Sequence, residues 1–251
     1  MRCLATPSGQ TLWYVGPDLS EGAIASVFYF SLSAKESLLT DPFNQMVVKL
    51  QNFPIRIFSI DLPSHGEGLL ATEAMKVWAQ EIAQGKDPLT PFFQNTADSL
   101  EFLRDEGLIS QDKTAVVGLS RGALIALEVA ARLPWLPMIL GFAPLTQIKY
   151  AKEFSSIEAN DIVTSLNPHH ELLHLIHKKI RFYISNRDSR VSTKECFNFI
   201  SSLANLAYEH GVKAPQIELL IKPPLGAQGH GTSKEIFEEG ALWIAKQWGL
   251  S

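Results

Sequence analysis

Apolar residues recur along the chain in two patterns, and their alternation predicts the order of its elements. Strand-length apolar runs lie at 24–30, 55–60, 114–117, 137–142, 179–184 and 216–221. Nearly continuous runs of this length are typical of strands buried on both faces. A shorter alternating run at 11–15, bounded by glycines, predicts an opening edge strand.

Between these runs the apolar residues recur every three or four positions, which predicts helices. The predicted helices cover 38–50, 73–84, 91–106, 123–132, 193–210 and 233–248. Strands that alternate with helices favour an α/β fold, with a mostly parallel central sheet and helices on both faces. The roughly 35 residues at 143–178 carry no strand signal and are numerous enough to form a structured insertion.

Length and composition favour a single domain over residues 1–251, with enough apolar residues (46%) for a sizeable core. The formal net charge of -4 and the pI near 6.0 supply no field that would hold nucleic acid or an acidic membrane surface. Two distant cysteines, Cys3 and Cys196, argue against a disulfide framework. We therefore expect a cytoplasmic protein with a small-molecule partner, because neither a leader nor a membrane-length apolar run is recognisable. The oligomeric state stays open.

The motif at 118–122 joins a predicted strand to a predicted helix and carries the first candidate catalytic group. It reads Gly-Leu-Ser-Arg-Gly, which places Ser120 at a sharp turn. Its glycines suit a place where the strand and helix backbones pass too closely for a Cβ. This context predicts an exposed, rigidly aimed nucleophilic hydroxyl. The alternative is an ordinary N-cap serine, whose oxygen accepts a helix amide.

A serine nucleophile needs an adjacent base, and the base needs an orienting acid. In an open parallel sheet such groups come from loops at the carboxyl ends of the strands. Asp188 follows the predicted strand at 179–184, and His230 follows the one at 216–221. The chain order Ser120, Asp188, His230 is the order that a nucleophile-elbow fold requires.

Each partner also has a simpler interpretation. Asp188 could form an Asx turn, or pair with Arg187 or Arg190. His230, which lies between two glycines, could be a surface loop residue. These alternatives weaken when the positions are taken together, because three separate strand ends supply the three groups.

The motifs resemble those of the α/β-hydrolase superfamily, and most of all its small prolyl-oligopeptidase-like and dienelactone-hydrolase-like members. The resemblance covers essentially the whole chain. It is carried by 118–122, by Asn-Arg-Asp-Ser-Arg-Val at 186–191, by Gly-His-Gly at 229–231 and by Asp-Leu-Pro-Ser-His-Gly at 61–66. It implies an α/β-hydrolase fold, a serine hydrolase and a small cap formed by the insertion. The sequence shows no glycine-rich phosphate fingerprint, so we expect no cofactor and no metal.

The resemblance also implies a role for each residue. Ser120 attacks an acyl carbon to form an acyl-enzyme, His230 takes and returns the proton, and Asp188 orients the imidazole. The backbone amides of Arg121 and Leu32 are the expected oxyanion donors. The substrate would be an ester, a thioester or a peptide-like acyl compound.

Two features near the nucleophile leave alternatives open. The turn that holds Leu32 reads Phe-Ser-Leu-Ser at 30–33, whereas many members of the superfamily carry His-Gly there. A noncatalytic binding protein with the same fold is therefore an alternative. The Arg121 side chain could either bind a carboxylate of the substrate or pack and pair on the helix surface.

A competing motif lies inside the insertion. The residues His-Glu-Leu-Leu-His at 170–174 match H-E-x-x-H, in which two histidines one helical turn apart bind zinc and the glutamate activates water. Glu195 could supply a third ligand, so a zinc hydrolase using His170, Glu171 and His174 is a further alternative. The simpler interpretation is a short helix capped by Asn167 and the following proline.

Overall fold

A single sheet organises the computed structural model, which describes residues 1–66, 68–226 and 228–250. Glu67, Ala227 and Ser251 lie outside the described residues. The described strands are β1 (Arg2–Ala5), β2 (Thr11–Val15), β3 (Ile24–Phe30), β4 (Arg56–Ser59), β5 (Ile109–Leu119), β6 (Met138–Phe142), β7 (Lys179–Ser185) and β8 (Ile217–Lys222). Their spatial order is β1-β2-β4-β3-β5-β6-β7-β8. In this order the neighbouring strands from β4 to β8 are parallel. The pairs β1–β2 and β2–β4 are antiparallel.

The helices of the described residues cover both faces of this sheet. They are α1 (Ala34–Leu39), α2 (Gln45–Leu50), α3 (Ala74–Ala83), α4 (Thr90–Asp105), α5 (Arg121–Arg132), α6 (Asp161–Ser165), α7 (Leu172–Leu175), α8 (Thr193–Glu209) and α9 (Lys234–Gln247). The mostly parallel sheet between two helical layers confirms the fold class predicted from the sequence.

Strand β3 shows why the apolar runs are nearly continuous. Phe28 and Phe30 pack into one core with residues of α3, α4, α5 and α8, whereas Val27 and Tyr29 pack into a second core with α2 and α9. All four side chains are fully buried. Because successive side chains of a strand point to opposite faces, a strand between two cores needs apolar residues at every position.

Two predictions about the first third of the chain are wrong. The segment 38–50 is not one helix, because α1 ends at Leu39 and α2 begins only at Gln45. Pro42 lies between them, and it cannot supply the amide hydrogen that a continuous helix requires. Strand β2 is not the edge strand either, since β1 pairs outside it. The residues of β1 are mostly exposed, so no apolar run marks this strand in the sequence.

The segment 143–178 is free of strands, as predicted. It forms the short helices α6 and α7 together with 3₁₀ turns at Ile148–Tyr150, Lys152–Phe154 and Pro168–Glu171. These elements pack against α3, α5 and α8. Among the described residues, no helix combines the length and the apolar character that crossing a membrane requires.

Arg56 joins the start of β4 to two loops through a fully buried guanidinium. Its Nε donates to the carbonyl of Pro17 at 3.1 Å, and its Nη1 donates to the carbonyl of Gly22 at 3.3 Å. The carbonyls of Asp18 and Leu108 accept further hydrogen bonds from the same side chain. Four backbone carbonyls therefore depend on one side chain.

We predict that Arg56→Met lowers the free energy of unfolding by about 3 to 5 kcal/mol, because buried carbonyls lose their donors. Urea denaturation measures the change. The control is Lys113→Met, which removes an exposed cation and should change stability by less than about 0.5 kcal/mol. Equal stability of the two variants would show that the Arg56 hydrogen bonds are dispensable.

Candidate active site

Ser120 lies between β5 and α5 with a backbone φ of 56°, a region that residues other than glycine rarely adopt. Its amide donates to the carbonyl of Phe142 in β6 at 2.8 Å, and its carbonyl accepts the amide of Ala123 at 3.0 Å. The Ser120 side chain caps no helix amide. Its hydroxyl is therefore not the helix cap that the sequence left as an alternative.

The two glycines of the motif stand where the backbones nearly touch. A Cβ on Gly118 would lie 2.3 Å from the backbone of Ala123, and a Cβ on Gly122 would lie 1.9 Å from the carbonyl oxygen of Phe30. Both distances are far below van der Waals contact. This is the close approach of strand and helix that the sequence motif predicts.

The structure brings the three predicted side chains together. His230 Nε2 lies 2.8 Å from Ser120 Oγ, and His230 Nδ1 lies 2.7 Å from Asp188 Oδ2. The Asp188 side chain is fully buried, whereas a quarter of the His230 side chain is exposed. A continuous line of hydrogen bonds thus runs from a buried carboxylate to a hydroxyl at the turn.

The simpler interpretation of Asp188 also holds in part. Its Oδ1 accepts the amides of Arg190 at 2.9 Å and Val191 at 3.0 Å, which is an Asx-type turn. The Arg190 guanidinium binds Glu153 instead, with two hydrogen bonds of 2.8 and 2.9 Å. One carboxylate oxygen therefore holds the loop while the other faces His230.

Contacts that the sequence did not indicate join the loops that carry Asp188 and His230. The Ser185 hydroxyl donates to the carbonyl of Gly229, and the Thr193 hydroxyl donates to the carbonyl of Ser185 at 2.7 Å. A Cβ on Gly229 would lie 2.2 Å from the carbonyl oxygen of Arg187. These contacts set the distance between the acid loop and the histidine loop.

A cavity of about 690 Å³ opens beside Ser120. Most of its walls are apolar, and the charged wall residues among those described are Glu36, Arg121 and, when protonated, His230. The wall residues are Ser31, Leu32, Glu36, Pro42, Phe43, Ala71, Thr72, Leu119, Ser120, Arg121, Leu225, His230, Gly231, Thr232 and Phe237. None comes from 143–178, all of which the structure describes. The expected cap therefore does not line this cavity. The described walls come instead from 31–43, 71–72, the turn at 119–121, Leu225, 230–232 and the start of α9.

The two expected oxyanion donors differ in their surroundings. The amide of Arg121 opens helix α5, next to the nucleophile. Leu32 lines the cavity, but its amide donates to the hydroxyl of Ser37 at 3.2 Å. Ser31, Leu32 and Ser33 are not among the residues with positive φ, so this turn does not require a glycine. The feature of this turn that bears on the expected oxyanion site is the hydrogen bond from the Leu32 amide to Ser37.

The H-E-x-x-H motif does not form one continuous helical face. His170 and Glu171 belong to a 3₁₀ turn, whereas His174 lies in α7 and is mostly exposed. Glu171 Oε2 and His174 Nε2 are 4.0 Å apart. Within residues 1–66, 68–226 and 228–250, no group of three or more His, Cys, Asp or Glu side chains could hold a metal ion.

Comparison with known proteins gives structural relatives only. Neither a protein-family model nor a curated protein sequence matches the chain. Among solved structures, an esterase from Pyrococcus furiosus is 14% identical with a TM-score of 0.65, over 98% of this chain and 89% of that one. The Thermus thermophilus protein TT1662 is 14% identical with a TM-score of 0.70, over 98% and 97% of the two chains.

A larger protein is the third structural relative. Prolyl oligopeptidase B from Galerina marginata is 16% identical with a TM-score of 0.67. All of this chain is covered by the match, but the chain spans only 36% of that protein's length. At these identities the likeness shows the fold, and it is the α/β-hydrolase fold that the sequence motifs predict.

We predict that Gly122→Ala strongly destabilises the protein, because its Cβ meets a backbone oxygen that belongs to the central sheet. The expected loss is about 3 kcal/mol or more, measured by urea denaturation. Gly211→Ala is the control, since its Cβ would enter open space at φ +87° and should cost only about 1 to 2 kcal/mol. Similar losses would show that steric contact at Gly122 is relieved by small shifts.

Proposed function

Because the chain has the α/β-hydrolase fold, we propose that it is a serine hydrolase that cleaves an ester, thioester or peptide-like acyl bond. The observation that carries the proposal is the pair of short hydrogen bonds from Ser120 Oγ through His230 to Asp188. The names of the structural relatives, an esterase and a prolyl oligopeptidase, agree with it.

The proton has a defined route in this arrangement. Asp188 Oδ2 is a carboxylate oxygen, so His230 carries its hydrogen on Nδ1 and leaves a lone pair on Nε2. As Ser120 Oγ bonds to the acyl carbon, Nε2 takes the hydroxyl proton, and the imidazolium later gives it to the leaving group. Water then repeats these steps on the acyl-enzyme, which releases the acid and restores Ser120.

The negative oxygen of the tetrahedral intermediate needs preorganised donors. We assign the first to the Arg121 amide, where the N-terminal end of α5 adds a favourable dipole. We assign the second to the Leu32 amide across the cavity. The apolar cavity walls suit an uncharged acyl chain or leaving group of moderate size.

The Leu32 amide is also the observation that favours a second candidate function. Its hydrogen bond to Ser37 occupies the donor that an oxyanion would need. Since loss of one oxyanion donor costs about 100- to 1000-fold in turnover, this bond would suit a noncatalytic binding protein of the same fold.

We expect an active-site-directed fluorophosphonate to label Ser120, because the neighbouring imidazole activates its hydroxyl. Ser120→Ala should abolish labelling and lower ester turnover by at least about 10⁴-fold. Mass spectrometry of the labelled peptide and a 4-nitrophenyl ester assay measure the two effects. Ser155→Ala, which changes an exposed serine, should behave as the wild type. Folded wild-type protein that takes no label would contradict the proposal and favour the noncatalytic alternative.

A second variant tests the Leu32 donor. Ser37→Ala removes the competing acceptor, so we expect kcat for a 4-nitrophenyl ester to rise about 3- to 10-fold, the equivalent of one neutral hydrogen bond. The matched control is Ser26→Ala, a buried serine in β3 whose hydroxyl donates to the carbonyl of Ile24. An unchanged kcat in Ser37→Ala would mean that the Leu32 amide does not hold the oxyanion.

A further inference from the structure

The catalytic scheme leaves a largely buried cation without a role. Arg121 lines the same cavity as Ser120. Only its backbone amide takes part in the proposed reaction, and the guanidinium has no part in it. Burial lowers the pKa of this guanidinium to about 10, which leaves it charged at neutral pH.

Neutral groups hold the guanidinium in place. Nη1 of Arg121 donates to the carbonyl of Ala71 at 2.7 Å and lies 3.3 Å from Nε2 of His65. Nδ1 of His65 lies 2.9 Å from the carbonyl of Pro63, so it carries the ring hydrogen and leaves Nε2 as an acceptor. Burial, and to a lesser extent the charge of Arg121, lowers the pKa of His65, which keeps the ring neutral. Among the described residues, the hydrogen-bond partners that position the cation are therefore neutral.

The charges around Arg121 are already engaged elsewhere. Arg190 is paired with Glu153. Glu36, on the cavity wall, uses its Oε2 to accept from the amide and the hydroxyl of Ser33 at 3.2 and 2.6 Å. Within the part of the chain that the structure describes, Arg121 takes part in no ion pair within 4.0 Å.

Some N–H groups of the guanidinium make no hydrogen bond to the described residues. Its hydrogen bonds to described residues use Nη1 alone, and arginine carries further N–H groups on Nε and Nη2. A desolvated cation is costly unless an anion pairs with it, and a planar guanidinium matches a carboxylate well. A carboxylate that entered the cavity would thus gain an ion pair and two well-aligned hydrogen bonds with the guanidinium.

We propose that Arg121 binds a carboxylate of the substrate while Ser120 attacks the acyl carbon, so that the protein selects carboxylate-bearing esters. This inference rests on the proposed serine hydrolase function. The competing explanation is that Arg121 only ties the loop at 63–72 to helix α5. A tether would affect all substrates alike, whereas a carboxylate site affects anionic substrates selectively.

The first test uses the wild-type protein and two matched pairs of esters. Mono-4-nitrophenyl succinate against 4-nitrophenyl butyrate places the charge on the acyl side. 4-Carboxyphenyl butyrate against 4-carbamoylphenyl butyrate places it on the leaving group. After correction for the rate of each ester with hydroxide, we expect kcat/KM to favour the anionic ester at least about 10-fold in one pair. No preference in either pair overturns the inference.

The second test changes the cation. Arg121→Met and Arg121→Gln should lower the anionic preference at least about 10-fold, and Arg121→Lys should keep part of it because the charge remains. An equal fall for the charged and uncharged esters means that Arg121 is only a tether, and this overturns the inference. If the Met and Gln variants do not fold, the wild-type preference and the Lys variant decide the question.

Glu67, which the structure does not describe, provides the necessary control. Glu67→Gln should leave the anionic preference unchanged. A rise of about 10-fold or more would mean that its carboxylate already neutralises Arg121, which contradicts the inference. Fluorophosphonate labelling of each protein separates the two levels of failure. A folded wild-type protein that takes no label contradicts the serine hydrolase proposal. A labelled protein that shows no preference for anionic esters contradicts only the inference about carboxylate binding.

Discussion

The close approach of helix α5 to strands β3 and β5 is the constraint on which the candidate site depends. Gly118 and Gly122 stand at positions where a Cβ would overlap backbone atoms, 2.3 and 1.9 Å away. The turn between them forces Ser120 to a φ of 56°. Such strain persists only where the surrounding structure holds it, and here two packed cores lie on either side of the sheet. The hydroxyl is consequently aimed by the architecture rather than by its own side-chain contacts.

The other two groups reach Ser120 because they follow neighbouring strands. In a parallel sheet β7 and β8 end at the same edge as β5, so the loops after them meet there. Asp188 serves the loop and the site together, since Oδ1 accepts two amides and Oδ2 faces His230. Glu153 lies in the segment 143–178 and supports this loop through Arg190. That segment therefore stabilises the acid loop from the side, although it does not cover the cavity.

Among the described residues, the cavity combines mostly apolar walls with the cation of Arg121, whose hydrogen-bond partners are neutral. The proposed hydrolase activity and the proposed selection of carboxylate-bearing substrates therefore depend on different groups of the site. In these proposals the hydrogen-bonded Ser120, His230 and Asp188 cleave the acyl bond. The Arg121 guanidinium determines which substrates bind. In the proposed reaction the Leu32 amide would affect the rate, because it already donates to the hydroxyl of Ser37.

The sequence alone determined the described strands other than β1, the α/β architecture and the strand ends at which Ser120, Asp188 and His230 lie. Burial on both faces requires unbroken apolar runs, and the strand-to-helix turn requires its glycines. Short stretches of sequence therefore suffice to predict these features. The division of 38–50 into two helices is also local, because Pro42 lies at the break. The tertiary structure decided the edge position of β1, the donor contact of Leu32 and the hydrogen-bond partners of the Arg121 guanidinium. Leu32 contacts Ser37, and Arg121 contacts His65 and Ala71. Such partners depend on how distant segments pack, and the pattern of residues around each position does not encode them.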